Sequence, residues 1–169
     1  GMQPIAGYNY GAKQFHRMLR SFYLTSLYAT GAMAIAFVLG ECFPELVTKM
    51  FTHDPVLIAG TIRPMRIICC SMLIIGFQMV AGNLFTSIGM AGKSIFLSLT
   101  RQVLYLIPLS LLMPLAFNEP LNGVWWSIPV SDVMAAVTAA VMLWIQIRKF
   151  HALIREQEAW IASTPPEPD

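Results

Sequence analysis

The sequence predicts an all-α integral membrane protein built from four transmembrane helices, and three observations predict it. Of 169 residues, 56% are hydrophobic and 12% charged, about half the roughly 25% charged fraction of soluble domains, and the mean hydropathy is +0.61. Residues 21–40, 67–92 and 102–118 carry no charge, and each run is near the roughly 20 residues a helix needs to cross a ~30 Å hydrocarbon core. A fourth apolar stretch, 122–147, is interrupted only by Asp132, which reads as one costly residue inside a span rather than a boundary between two soluble helices.

Residues 1–20, "GMQPIAGYNYGAKQFHRMLR", open with a proline and three glycines that suit no long helix and are expected to form a loop. They are no signal peptide, because the apolar run that follows has no small-residue cleavage site. The first span, about 21–43, carries Ala32, Ala36 and Gly40, a small-residue ridge that lets another helix approach closely. The second, about 65–90, has Pro64 at its approach and contains no acid, its polar groups being Gln78, Asn83, Thr86 and serines. Pro108 and Pro114 are expected to kink the third, about 96–117, and Pro129 to break the fourth, about 122–147. Trp125, Trp126 and Trp144 lie where an aromatic belt would place them. Residues 148–169 form a tail, first the short amphipathic "HALIREQEAW" and then "STPPEPD", too polar and proline-rich to fold and expected to be disordered.

Basic residues set the orientation. Eight of the eleven, Lys13, Arg17, Arg20, Lys93, Arg101, Arg148, Lys149 and Arg155, fall on one side, and Lys49, Arg63 and Arg66 on the other. The richer side is expected to be cytoplasmic, so both ends of the chain lie there. A net charge of +2 without a basic stripe gives no reason to expect nucleic acid as a partner. Cys42, Cys69 and Cys70 have neither metal-ligand nor disulfide spacing and read as reduced apolar filler. His16, His53 and His151 are scattered across both sides, so no metal site or catalytic triad is expected. "GKS" at 92–94 lacks the first glycine of a phosphate loop, Ser87 standing in its place.

Asp132 is the sharpest candidate. About ten residues into a span that starts near 122, it lies roughly 15 Å deep, near the midplane of a ~30 Å core. An ionised carboxylate there must face the protein interior, take a proton or pair with a donor. Pro129 frees a backbone carbonyl one turn earlier, and a polar pocket with Ser127 and Ser131 is expected. An enzyme would need several polar groups converging at one depth, and only Asp132 lies deep, so no catalytic activity is expected.

"QPIAGYNYGAK" followed by "F..MLR" resembles the QPxxGxNxGA loop of multidrug and toxic compound extrusion (MATE) transporters. "FTHDPVLIAGTIRPMRI", "SIGMAGKSIFLSLTRQVLYLIPL" and "LNGVWWSIPVSD" are similar, in order, to the outer loop before the tenth helix, the eleventh helix and the start of the twelfth. The resemblance implies a twelve-helix transporter of two lobes, of which this chain is the last four helices, a partial C-terminal lobe in a truncated sequence. It implies a bacterial inner-membrane antiporter that exports amphiphilic or cationic drugs and toxins by alternating access. H⁺ or Na⁺ is then the coupling ion, with no other cofactor. The implied partners are membrane lipid, the small-molecule substrates and the missing N-terminal lobe.

Within that resemblance Gln3, Pro4, Gly7, Asn9 and Gly11, with Pro129, are expected as gate or hinge residues. Gly7 and Gly11 would permit a tight reversal and close backbone approach, Pro4 would stop the preceding helix, and Gln3 and Asn9 would hydrogen-bond freed carbonyls. Asp132, Gln78 and Asn83 are the expected polar transport residues. Some members carry a cation-binding carboxylate in the tenth helix, and this chain has none there. A lipid-linked oligosaccharide flippase of the same superfamily is the alternative. It would need basic residues facing its cavity, and the spans are expected to bury none. A non-transporting four-helix assembly subunit is a further alternative.

Overall fold

The computed structural model describes residues 1–117 and 119–163. Among these, eight α-helices are present: α1 (Met2–Gly11), α2 (Phe15–Cys42), α3 (Pro44–Lys49), α4 (Pro55–Cys69), α5 (Met72–Ser87), α6 (Ala91–Leu99), α7 (Ile107–Ala116) and α8 (Pro120–Ser163). A π-wound segment, Thr100–Leu106, joins α6 to α7. Three spans are long and apolar enough to cross a membrane, namely α2, Ala91–Ala116 and α8, and α4 with α5 forms a fourth, bent by 49°.

The four expected spans are thus present, with altered ends. The opening segment, expected as a loop, is helical as far as Gly11, since glycine and proline are tolerated where neighbouring helices supply packing. Its reversal falls two residues later, at Lys13, whose φ of +56° closes the helix in the left-handed conformation. Asp54 caps α4, its carboxylate accepting from the Val56 N–H at 2.9 Å. Pro64 lies inside α4, and the bend comes later, at Cys70 and Ser71. There the Ser71 hydroxyl and N–H both donate to the Ile68 carbonyl, at 3.0 and 3.2 Å. Such local bonding draws the backbone out of the regular ladder and bends it.

Pro129 does not break α8, which runs through it. The tail boundary expected at 147 is also absent, because the good helix formers of 148–160 continue α8. The disordered end expected for "STPPEPD" lies outside the described residues beyond Ser163.

At the centre stands α5, packed against α1, α2, α6 and α8. Met18 and Phe22 from α2, Leu84 and Phe85 from α5 and Ala139 and Phe150 from α8 share the buried core. Small residues let these helices close up. A Cβ on Gly76 would lie 3.0 Å from Met33 Cγ and 3.3 Å from the Ala29 carbonyl oxygen, and one on Gly40 would collide with Cys69 Sγ. The ridge of α2 therefore uses Ala29 and Gly40, while Ala32 is exposed. Of the three free cysteines only Cys69 is buried.

Edge-on contacts of Tyr10 with Phe15 and Phe150, and a stack of Phe15 on Phe150, tie the α1–α2 turn to the distal part of α8. Trp126 and Trp144 are exposed, and Arg148 lies 4.0 Å above the Trp144 ring. These exposed rings suit an interfacial belt.

Candidate transport site

The decisive charge is one the spacing of uncharged runs had placed at a helix flank. Arg101 lies in the π-wound segment, ten residues beyond the start of the span Ala91–Ala116. Its Nε donates to Asp132 Oδ1 at 2.8 Å, with the Asp132 side chain 1% exposed and that of Arg101 31%. Asp132 satisfies its expected need for a donor through a guanidinium, not through serines. Ser127 and Ser131 are buried, yet their hydroxyls donate back to the carbonyls of Val124 and Ile128, at 2.6 and 2.7 Å. Arg101 lies within a span instead of at its flank, which leaves seven of the eleven basic residues at the richer end, but it is only partly buried, and no Lys or Arg among the described residues is fully buried.

Why Arg101 can sit there follows from pairing. An isolated charge at this depth is costly, while a hydrogen-bonded pair of opposite sign recovers much of that cost. The π segment, a winding often found at functional positions, precedes Pro108, which has no N–H to return to the carbonyl four residues earlier. Further polar links join the same two spans. Tyr105 Oη and Thr138 Oγ1 are 2.9 Å apart, and Lys93 Nζ donates to Gln146 Oε1 at 2.6 Å.

A groove of about 360 Å³ opens between α5 and the span Ala91–Ala116. Gln78, Asn83, Ser94, Ser98, Arg101 and Gln102 supply its polar groups. Gln78 and Asn83 are therefore brought together with Arg101, while its partner Asp132 does not line the groove. Gln78 is 8% exposed, and among the described residues its Oε1, like Asp132 Oδ2, has no hydrogen-bond partner. Arg101, Ser94, Ser98 and Gln102 were missed in the sequence. Their signal is a polar residue at helical spacing on one face from 94 to 102.

The signature residues lie near this groove but not all in it. Gln3 Nε2 donates to Asn83 Oδ1 at 3.1 Å, joining α1 to the groove wall. Asn9 Nδ2 donates to the Ile5 carbonyl at 2.9 Å, inside its own helix. Pro4 is in the first turn of α1 and exposed, and Pro129 is buried within α8. Gly7 and Gly11 differ sharply. A Cβ at Gly7 would lie 2.9 Å from the Ser87 carbonyl oxygen, whereas at Gly11 nothing lies within 4 Å. Gly7→Val is accordingly expected to lower the thermal midpoint and yield of the purified transporter, and Gly11→Val to leave both near wild type. Equal behaviour of the two variants would remove the close approach at Gly7 as the cause.

A family model described as MatE matches residues 1–112. The chain belongs to the MatE family. Among solved structures, this MatE chain is 41% identical to the MATE multidrug transporter DinF-BH in a ligand complex, with a TM-score of 0.77 over 85% of this chain and 32% of that one. It is 18% identical to an inward-facing and to an outward-facing structure of a multidrug resistance MATE family transporter of the MOP superfamily. Both give a TM-score of 0.82 over 89% of this chain, and over 35% and 34% of theirs respectively. The chain thus spans about a third of the length of the structures it matches. No curated protein matches it. The fold is part of a MATE lobe, the chain is a multi-pass membrane protein, and its family is one of efflux transporters.

Proposed function

We propose that these helices are the last four of a bacterial inner-membrane multidrug exporter, with both ends of the segment in the cytoplasm. It exchanges inward H⁺ or Na⁺ for outward amphiphilic or cationic compounds. The observation that carries the reading is the 41% identity to a MATE multidrug transporter over 85% of this chain. Alternating access by rigid bodies would have this unit keep one internal arrangement while it rocks against the other lobe. The flippase alternative calls for more basic residues facing the cavity, and among the described residues Arg101 is the one Lys or Arg lining the groove. A single Arg paired through its Nε with Asp132 is fewer basic groups than a diphosphate site calls for, which favours the exporter.

The full transporter carrying this segment, reconstituted in proteoliposomes, tests the reading directly. A cationic dye is expected to move against its gradient when a pH or a Na⁺ gradient is imposed, and to stop when that gradient is collapsed. Dye movement indifferent to both gradients would exclude antiport.

A further inference from the structure

We propose that the Arg101–Asp132 and Tyr105–Thr138 links form a latch that holds a surplus backbone residue within Thr100–Leu106. Their release turns this middle part of the span about its own axis while both ends stay fixed. The inference goes beyond the exporter reading, because it concerns two neighbouring spans of this chain and holds whatever the transporter carries.

The span Ala91–Ala116 and α8 run in opposite directions and are pinned together at both ends. Lys93 bonds Gln146 at one end, and Gly123 lies against the backbone of Met113 and Pro114 at the other. Arg101 precedes Tyr105, so between antiparallel helices it should face a later residue of α8 than Tyr105 does. The links do the opposite. Arg101 bonds the earlier residue, Asp132, and Tyr105 the later one, Thr138, so the two side chains cross. Thr138 Oγ1 already donates to the Met134 carbonyl at 3.0 Å, which makes Tyr105 the donor in its link. A slide of the span along α8 lengthens one link or the other, whichever way it goes, and a rotation of the segment parts both.

Between the pinned ends the backbone has a residue to spare. The Ile107 N–H donates to the Gln102 carbonyl, five residues back, and an i→i−5 turn holds one residue more than an i→i−4 turn. That surplus can sit in any turn between the two anchors. No glycine or proline within Thr100–Leu106 holds it there. Pro108 opens the ladder just beyond, and the two crossed links turn Arg101 and Tyr105 toward α8. If the surplus moves on by one turn, the residues it passes rotate by about 100°. Neither link survives a turn of that size, whereas α6 and α7 need not move.

The full transporter in nanodiscs, in a cysteine-free background with a nitroxide attached through Ile95→Cys, Val103→Cys or Leu111→Cys, tests this through the collision rate of each label with dissolved oxygen. All three positions are exposed, and they lie on α6, in the π-wound segment and on α7 respectively. Arg101→Met, Asp132→Leu and Tyr105→Phe together open the latch without stranding a charge. The rate at Val103 is expected to change about threefold, since a turn of about 100° carries the label to another face, while the other two keep their rates. Deleting Leu104 removes the surplus residue, and opening the latch in that background should leave the rate at Val103 as it was. An unchanged rate at Val103 in the triple variant overturns the inference. Equal changes at all three labels overturn it too, because the whole span has then moved, as does a change at Val103 that persists after the deletion. If the triple variant is not monodisperse, Tyr105→Phe alone serves, and a Val103 label that keeps both its rate and its spectral line shape in that variant overturns the inference.

Discussion

Gly123→Leu is expected to prevent correct folding of this lobe. A Cβ at Gly123 would lie 2.6 Å from the backbone nitrogen of Pro114, 2.7 Å from its Cα and 2.8 Å from the carbonyl carbon of Met113. All three are backbone atoms and none can swing aside, so even alanine must push α7 and α8 apart. Overpacking usually costs about 1–3 kcal/mol and occasionally more, and a leucine against rigid backbone belongs at the upper end. Gly31 and Gly60 are the controls, because a Cβ on either meets nothing within 4 Å. Alanine there should hold or raise stability, since glycine inside a helix is about 1 kcal/mol less favourable than alanine. Unfolding of the full transporter in mixed micelles, followed by circular dichroism, reads all three. A Gly123→Leu midpoint equal to that of Gly31→Ala would show that the two helices do not meet so closely.

The second large effect is expected at Asp132. Replacing it with leucine strands Arg101 inside the lobe, and removing one member of a buried pair costs about 3–5 kcal/mol. The lower end applies here, because the Arg101 side chain is 31% exposed and keeps some contact with solvent or lipid headgroups. Arg101→Met should cost as much, since it leaves a carboxylate that is 1% exposed with neither oxygen paired. The double variant removes both charges and should recover most of the loss, as apolar replacements of buried pairs often do. Additive losses in the cycle would deny that the two side chains interact. If the double variant folds yet does not transport, the pair serves the transport cycle and not only the packing of α8.

Much of this was legible in the amino-acid order, and the gaps have physical causes. Uncharged runs located the spans because hydrocarbon excludes unpaired charge. The same rule mislocated Arg101, since a run of uncharged residues ends at any charge, including one neutralised by a distant partner. The depth of Asp132 and its need for a donor could be worked out from helical rise, but the donor itself lies 31 positions away in sequence. The signature segment identified the family, while its glycines and its one proline disguised a helix. Ser71, not a proline, marks the bend between α4 and α5, and a lone serine carries no such signal in advance. Gln78 and Asn83 were singled out as isolated polar residues, and only the packing of α5 against α6 brings them to a common groove with Arg101.

The length of α8 has a mechanical consequence. Its 44 residues make a rod of about 66 Å, so about 35 Å of it extends beyond a ~30 Å hydrocarbon core. A rod held at one end amplifies rotation: a tilt of about 5° at the membrane carries the far tip sideways by about 3 Å over that overhang. Phe150 packs against Tyr10 and Phe15, so the signature turn would move with the shaft. A reorientation of the lobe of the kind proposed above would therefore be read as a displacement of this protruding end, measurable between two labels.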